Sequence, residues 1–501
     1  MTLSKLLEGV AVTKIFQTLY GKMVVTHETE VNHVHYDSRK VDRGDMFVAI
    51  RGIGVDGNSY VTNAISQGAK VVVTDNNNAL EDYYFMHNGV VKVVVPDSRV
   101  ALAQISNNYF GHPTKHLQMI GVTGTNGKTT TAFLIKMLIE SELKTGLLGT
   151  IEYHIGDERI VATHTTPESL EMQGLFSRMV NKGCTSAVME VSSHALHQHR
   201  VHGIDFKVAV FTNLTQDHLD YHKTMDEYFE AKKILFDSLQ EPSTAVINID
   251  DSWGRKLFSA VQSKKISYGT SSDADMRATN ITLSFGGTQF TIEFKNQKLE
   301  ITAPLVGRFN VSNILAAFST GYALGISPEV MKERLQTATP VAGRFEQLQS
   351  SKGWTAIIDY AHTPDALEKA LKTIHDVLGE YKQGKIITVF GCGGNRDTTK
   401  RPIMGKIASE LSDVVIVTSD NPRFEKPESI IDEIMSGVVH GVEVIREVDR
   451  RTAVVKALCL AQAHDVVLIA GKGHEDYQII EDKKLPFSDQ KIVDEFLQSH
   501  I

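Results

Sequence analysis

The segment MIGVTGTNGKTTTAFLIKMLIE, residues 119–140, constrains this chain most. Its apolar start reads as a buried strand, its Gly-rich middle as a loop and its end as an amphipathic helix. Backbone N–H groups in such a loop, together with the helix N-terminus, surround phosphate oxygens. Lys128 would neutralise terminal phosphates, and the Thr129 hydroxyl could ligate magnesium. The glycines fall at 121, 124 and 127, whereas the strict P-loop pattern needs one where Val122 stands. The loop alone implies a nucleoside triphosphate and leaves open whether it serves a switch, a motor or an activated bond.

The same texture recurs along the chain. KTGLLGT, TSAVMEVSS and KVAVFTNL are strand-like runs separated by helical stretches such as 170–181, which implies a parallel sheet covered by helices. An earlier region to about Pro113 (DMFVAI, AKVVVTD, VVKVVVPD) reads as a small α/β unit. ITLSFGGTQFTIEF reads as a hairpin, and FNVSNILAAFSTGYALG as a helix closed by Gly325. After Gly343-Arg344 the strands TAIIDYA, KIITVFG, DVVIVTSD and DVVLIAGKG restart the pattern, with a helix at 365–378. The expected domains are 1–113, 114–342 and 343–501, all α/β, the second a P-loop parallel-sheet domain and the third Rossmann-like.

A chain of 501 residues supports about three domains. Its net charge of -8 gives no basic field for nucleic acid or anionic lipid. Cys184, Cys392 and Cys459 form no Cys-x-x-Cys pair, so neither a disulfide framework nor a zinc site is indicated. The first residues lack a signal-peptide core, and no apolar run approaches the roughly 20 residues of a membrane span. A cytoplasmic protein without membrane insertion is expected.

Further polar chemistry gathers at strand ends. Glu190 closes SAVMEVSS and is placed to hold magnesium directly or through water; Ser192 or Ser193 could simply cap the next helix. FTNLTQDHLDYH groups Asn213, Asp217, His218, Asp220 and His222, a set suited to a metal-phosphate site, with zinc at His218 and His222 a weaker alternative. Lys232 in DEYFEAKKILF is by itself a solvated helical lysine. In the last third, DYAHTPDAL, FGCGGNRD, SDNPRFEKP and GKGHEDYQ each follow a strand, where open parallel sheets place ligands. Arg396 and Arg423 suit a carboxylate through paired hydrogen bonds. Cys392 lacks a placed base and reads as a small residue in a tight turn.

Taken together these motifs resemble the Mur ligase family, in its branch adding the third residue to UDP-N-acetylmuramoyl-L-alanyl-D-glutamate. YDSRKVDRGDMFVAIRG, GTNGKTT, HTTPESL, MEVSSHALHQHRV, NLTQDHLDYH, EAKKI, GRFNVSN, GRFE, DYAHTPDAL, GCGGNRD, DNPR and GKGHEDYQ appear in that order over nearly the whole chain. The resemblance implies a UDP-substrate domain, an ATP domain and a mobile amino-acid domain. It implies uridine-nucleotide contacts at Ser38, Ile53, Gly54 and Val55, and a dipeptide held by Thr165, Thr166, Ser192, Gln198 and Arg200. ATP is assigned to Gly124, Thr125, Asn126, Gly127, Lys128, Thr129 and Thr130, with Asn313, Arg344 and Asp359. Thr129, Glu190 and His218 would surround Mg2+, joined by Lys232, which in this family is carbamylated to a carboxylate. Lys128, Glu190, His218 and Lys232 are the implied catalytic set.

DNPR and GKGHE, as in diaminopimelate-adding relatives, imply that Arg396, Asn421, Pro422, Arg423, Phe424, Gly471 and Glu475 bind meso-diaminopimelate; lysine-adding relatives lack that arginine. The implied reaction passes through an acyl phosphate on the D-glutamate γ-carboxylate, in cytoplasmic peptidoglycan precursor synthesis. The implied partners are UDP-MurNAc-L-Ala-D-Glu and meso-diaminopimelate, small molecules only, and the protein is expected to be a monomer. The lysine-adding enzyme is the main alternative; a folate-polyglutamate ligase and a P-loop switch or motor are more distant ones.

Overall fold

Short and mostly apolar runs, many of them Val-rich, build the parallel strands of this computed structural model, because strands covered by helices on both faces have little polar side. The structure describes residues 1–16, 18–19, 22–23, 28–52, 54–379 and 383–499, and strand orders and counts refer to these. They divide into two compact units: Met1–Gly121, Leu143–Ala209 and Ala231–Ser243 in the first, and Val122–Glu142, Val210–Glu230 and Thr244–Ile501 in the second. No helix among them is long and apolar enough to cross a membrane.

In the first unit, Val34–His35, Met46–Ala49, Val71–Thr74 and Val91–Val94 pair in parallel, and Lys14–Phe16 adds an antiparallel edge. Its core lies on both faces, with Val48, Val71 and Val93 on one and Phe47, Val72 and Phe85 on the other. The same unit pairs Thr145–Leu148 in parallel with Ser186–Glu190. An antiparallel hairpin, Glu152–Ile155 with Glu158–Val161, extends that edge.

In the second unit Thr244–Asn248, Lys264–Gly269 and Met276–Ser284 pair in parallel, and Gly287–Phe294 and Gln297–Ala303 continue as an antiparallel meander. The expected hairpin is therefore present, with Phe285-Gly286 as its two-residue turn. The helix expected to close at Gly325 runs Arg308–Ala323 and packs on the helix Lys128–Ile139. A six-stranded sheet follows, in the spatial order Glu346–Gln349, Thr355–Asp359, Val466–Ala470, Ile386–Phe390, Val414–Val417, Glu443–Arg446. All but its first strand are parallel. The carboxyl ends at Asp359, Phe390, Val417 and Ala470 lead into the four motif-bearing loops. A second hairpin, Tyr477–Ile480 with Lys483–Pro486, and the helix Asp489–Ser499 finish the chain.

Candidate active site

The Gly-rich loop expected to take the nucleotide joins the strand Gln118–Thr123 to the helix Lys128–Ile139. Gly127 sits at φ +83, and a Cβ there would fall 2.4 Å from Asn313 Oδ1, so only glycine fits. Asn313 is buried and also accepts from Thr131 Oγ1 at 3.3 Å, which places it beneath the loop. Thr125 is tied to the Asn213–Thr215 segment through N–H to Asn213 O at 2.9 Å and Oγ1 to Thr215 O at 3.2 Å. Lys128 Nζ donates to Gly124 O and Thr125 O at 3.0 and 2.8 Å, folding its cation over the loop. Thr129 is buried, and its hydroxyl accepts from Arg344 Nη2 at 3.3 Å. Thr130 is buried in the first helical turn.

Residues far along the chain reach this loop. Asn126 Nδ2 donates to Asp365 Oδ2 at 2.6 Å, and Asp365 pairs with Lys369 at 2.9 Å. Arg344 lies over the Tyr360 ring at 4.5 Å. Burial pushes the Asp359 carboxyl up to about 6, against the pull of Arg344 and the N–H groups of Phe345 and Ala361. His218, at φ +56, starts a short helix, and its Nε2 lies 3.5 Å from Asp217 Oδ2. Burial raises the Asp217 carboxyl, but the charges of His218, His362 and Lys400 outweigh it and hold the group below the usual range. His222 is buried and stacks on Tyr228 at 5.1 Å.

In the first unit Glu190 is buried and accepts from Thr150 N at 2.8 Å and Thr150 Oγ1 at 3.0 Å. Thr165 Oγ1 lies 3.1 Å from Thr150 Oγ1, and Thr166 Oγ1 donates to Glu190 O at 2.8 Å. Ser192 caps the helix Ser193–His197, accepting from Ala195 N at 3.2 Å. Arg200 donates to Gln198 Oε1 at 2.7 Å and Thr166 O at 2.8 Å, and pairs with Glu168 at 2.9 Å. Thr165, Thr166, Ser192, Gln198 and Arg200 are thus one hydrogen-bonded group around Glu190. Lys232 is buried on the helix Met225–Asp237, while its neighbour Lys233 reaches Asp237 at 2.6 Å. Ser38 is buried at the start of a short 3-10 turn and Val55 is exposed. Gly54 is described with open space around it, and Ile53 lies outside the described residues.

At the carboxyl edge of the six-stranded sheet, Asn421 and Glu475 meet, Asn421 Nδ2 donating to Glu475 Oε2 at 3.0 Å. Arg423, at φ +53, donates through Nη1 to Gly394 O at 2.9 Å. Burial and the neighbouring Arg396 lower its guanidinium from the ordinary value. Arg396 and Phe424 are exposed, and Pro422 is buried. Gly471 sits at φ +118, and a Cβ there would fall 2.7 Å from Asp420 Oδ2. Cys392 is buried, and burial pushes its thiol up to about 12, which disfavours the thiolate a nucleophile needs.

Three residues at this edge carry no assignment from the sequence. Asp420 is a buried carboxylate adjoining Asn421. Lys472 is fully buried between Asn421 and Glu475. Arg450 is fully buried against Asp489 at 2.7 Å. Asp420 could have been found as the first letter of DNPR; the other two act through contacts that only the fold creates.

Fold and site together define a P-loop α/β protein whose nucleotide loop is bonded to residues preceding and following the first parallel strand of a separate sheet. Family models described as the Mur ligase family catalytic domain, the Mur ligase middle domain and the Mur ligase glutamate ligase domain match residues 30–110, 122–321 and 343–473. UDP-N-acetylmuramoyl-L-alanyl-D-glutamate--2,6-diaminopimelate ligase of Clostridium botulinum is 45% identical over 486 residues, 97% of this chain and 99% of that protein. A solved structure of an enzyme of that same name is 32% identical, covers 95% of this chain and 96% of its own, and has a TM-score of 0.67. The MurF ligase of Thermotoga maritima in complex with ADP shares the fold at 19% identity, a TM-score of 0.62, and 94% and 97% coverage. The chain belongs to the Mur ligase family.

Proposed function

We propose that the protein is the ATP-dependent ligase that joins meso-2,6-diaminopimelate to the D-glutamate γ-carboxylate of UDP-N-acetylmuramoyl-L-alanyl-D-glutamate. The observation carrying this reading is the proposed amino-acid subsite, where the charges of Arg396, Asp420 and Glu475 all act on Arg423. A second stereocentre bearing both a carboxylate and an ammonium needs both signs of charge there, whereas a lysine side chain needs only the acceptors.

A carboxylate is a poor acylating agent. Transfer of the γ-phosphoryl group gives it a leaving group, ADP departs, and the amine of diaminopimelate then attacks the carbonyl carbon and expels phosphate. Lys128 offsets the negative charge that gathers as two anions approach. The bonds from Asn126 to Asp365 and from Arg344 to Thr129 bring later residues onto the nucleotide loop, which supports exclusion of water from the acyl phosphate. Domains 1–113, 114–342 and 343–501 would bind the UDP substrate, the ATP and the amino acid in turn.

Thr129 and Glu190 offer hard oxygen donors, the chemistry that magnesium prefers, and magnesium held mainly by nucleotide phosphates needs few protein ligands. His218 and a carbamylated Lys232 would complete its surroundings; when bound, the ion offsets phosphate charge. Lys232 is buried rather than solvated, which agrees with a side chain that serves the site and not the surface. Ser38 with the segment Ile53–Val55 would take the uridine nucleotide, and the group formed by Thr165, Thr166, Ser192, Gln198 and Arg200 the dipeptide. On this reading the protein would work in the cytoplasm as a monomer, in peptidoglycan precursor synthesis.

One assay tests the reading. Purified protein supplied with ATP, magnesium and the UDP-dipeptide should release phosphate with diaminopimelate and hardly at all with lysine. Equal use of lysine, or ATP hydrolysis independent of both acceptors, would overturn it.

A further inference from the structure

Lys472 is a fully engaged cation at the proposed amino-acid subsite. Its side chain is fully buried, and the three N–H groups of its ammonium have three acceptors: Tyr477 O at 2.8 Å, Asn421 Oδ1 at 3.0 Å and Glu475 Oε2 at 3.1 Å. Asn421 Oδ1 also accepts from Ile479 N at 2.9 Å, which fixes which end of the amide is oxygen. The Asn421 amide nitrogen then donates to the same Glu475 oxygen as Lys472, at 3.0 Å. Glu475 Oε2 is saturated by two donors, and Glu475 Oε1 has no hydrogen-bond partner among the described residues. One buried ammonium therefore sets the orientation of an amide and a carboxylate and leaves one carboxylate oxygen for a ligand.

We infer that Lys472 is a positioning residue for amine recognition at the second stereocentre of the amino-acid substrate, acting through Glu475 and Asn421. The inference rests on the diaminopimelate reading above. Arg423 is held by Gly394 O, by its backbone N–H to Ile479 O at 3.1 Å and by a longer bond from Nη1 to Asn421 O at 3.4 Å; Lys472 donates to none of its atoms, so recognition of the second carboxylate depends on Lys472 less directly than recognition of the amine does. Removing the ammonium leaves Tyr477 O without this donor and Glu475 Oε2 held by the Asn421 amide alone, while that amide loses the Lys472 bond to its own oxygen, so the carboxylate is less firmly oriented.

The test compares diaminopimelate with 2-aminopimelate, which keeps the second carboxylate and lacks the second amine. Wild type should prefer diaminopimelate by kcat/KM. Lys472→Met, similar in length and without donors, should lower that preference by about 10- to 100-fold, the range typical of outer-shell partners that orient a contacting group. The loss should appear in KM for diaminopimelate, with KM for ATP and for the UDP-dipeptide unchanged. A ratio of two kcat/KM values does not depend on the fraction of active protein, so partial misfolding leaves it intact. Glu475→Gln should show the same loss, and adding Lys472→Met to it should change the ratio little further. An unchanged ratio in Lys472→Met, or failure of both Lys472→Met and Lys472→Gln to fold, overturns the inference and assigns Lys472 to the fold alone. A wild type that does not use diaminopimelate overturns instead the reading on which it rests.

Discussion

At the scale of residues, two buried groups beside Arg344 titrate in opposite senses. Asp359 is raised by burial from 3.8 to about 6, while burial followed by the charge of Arg344 lowers His474 from 6.5 to about 4. Between pH 3.8 and about 6 the folded chain holds a proton on Asp359 that the unfolded chain has released, so this group lowers stability as pH rises. Between about pH 4 and 6.5 the unfolded chain holds a proton on His474 that the folded chain lacks, so this group raises stability as pH rises. The two contributions oppose each other in wild type. Asp359→Asn should therefore give a thermal midpoint that climbs more steeply from pH 4 to 6 than wild type, and His474→Gln a shallower one. Each difference is on the order of 1 kcal/mol. Parallel curves for all three proteins would count against both assignments. Some of this scale is legible in sequence and some is not. Lys232 and Lys233 are adjacent in a helix, so the register allows only one to face inward, and the buried one is Lys232. Lys472 lies only three residues before Glu475, yet its link to Asn421, 51 residues away, exists only after folding.

At the scale of elements, the strongest sequence signals were apolar strands ending in glycine or polar motifs followed by periodic helices. These became the parallel strands of both units. The two hairpins at 152–161 and 477–486 were missed for a physical reason. Lys483–Pro486 is exposed at every position and Glu158–Val161 nearly so, which leaves no alternation of apolar and polar residues to read. The second hairpin nevertheless clamps the DNPR loop, since Gln478 Nε2 donates to Asp420 O at 2.6 Å and Glu481 N to Arg423 O at 2.8 Å. The nucleotide loop is the element with the least tolerance. Gly127→Ala would strain a positive φ and drive a methyl group onto Asn313 Oδ1. KM for ATP should rise at least tenfold, about 1.4 kcal/mol, while binding of the UDP-dipeptide alone, read by calorimetry, should be nearly unchanged. Equal loss of both would mean that the substitution unfolds the domain rather than the loop.

At the scale of the whole molecule, the match to the glutamate ligase domain ends at residue 473, but the chain that braces the proposed amino-acid subsite continues to 499. The helix Asp489–Ser499 packs Ile492, Val493 and Phe496 into the core with Trp354. Its first residue holds Arg450 through bonds of 2.9 and 2.7 Å, with both side chains fully buried. Arg450 in turn donates to Ala470 O at 3.0 Å, immediately before Gly471, and toward Ser419 O at 3.5 Å, immediately before Asp420. Folding of the C-terminal helix is thereby coupled to two strand ends of the subsite. Asp489→Ala should destabilise the protein by about 3–5 kcal/mol, because it strands a buried guanidinium. The double variant Arg450→Met, Asp489→Leu replaces both charges with apolar volume and should recover most of that loss in urea unfolding. Its KM for diaminopimelate should stay raised, since Ala470 O and Ser419 O have lost their donor and the carboxylate of Asp420 its fixed backbone. Recovery of stability together with normal KM would show that the pair serves the fold alone, and that the hairpin clamp suffices to hold the subsite.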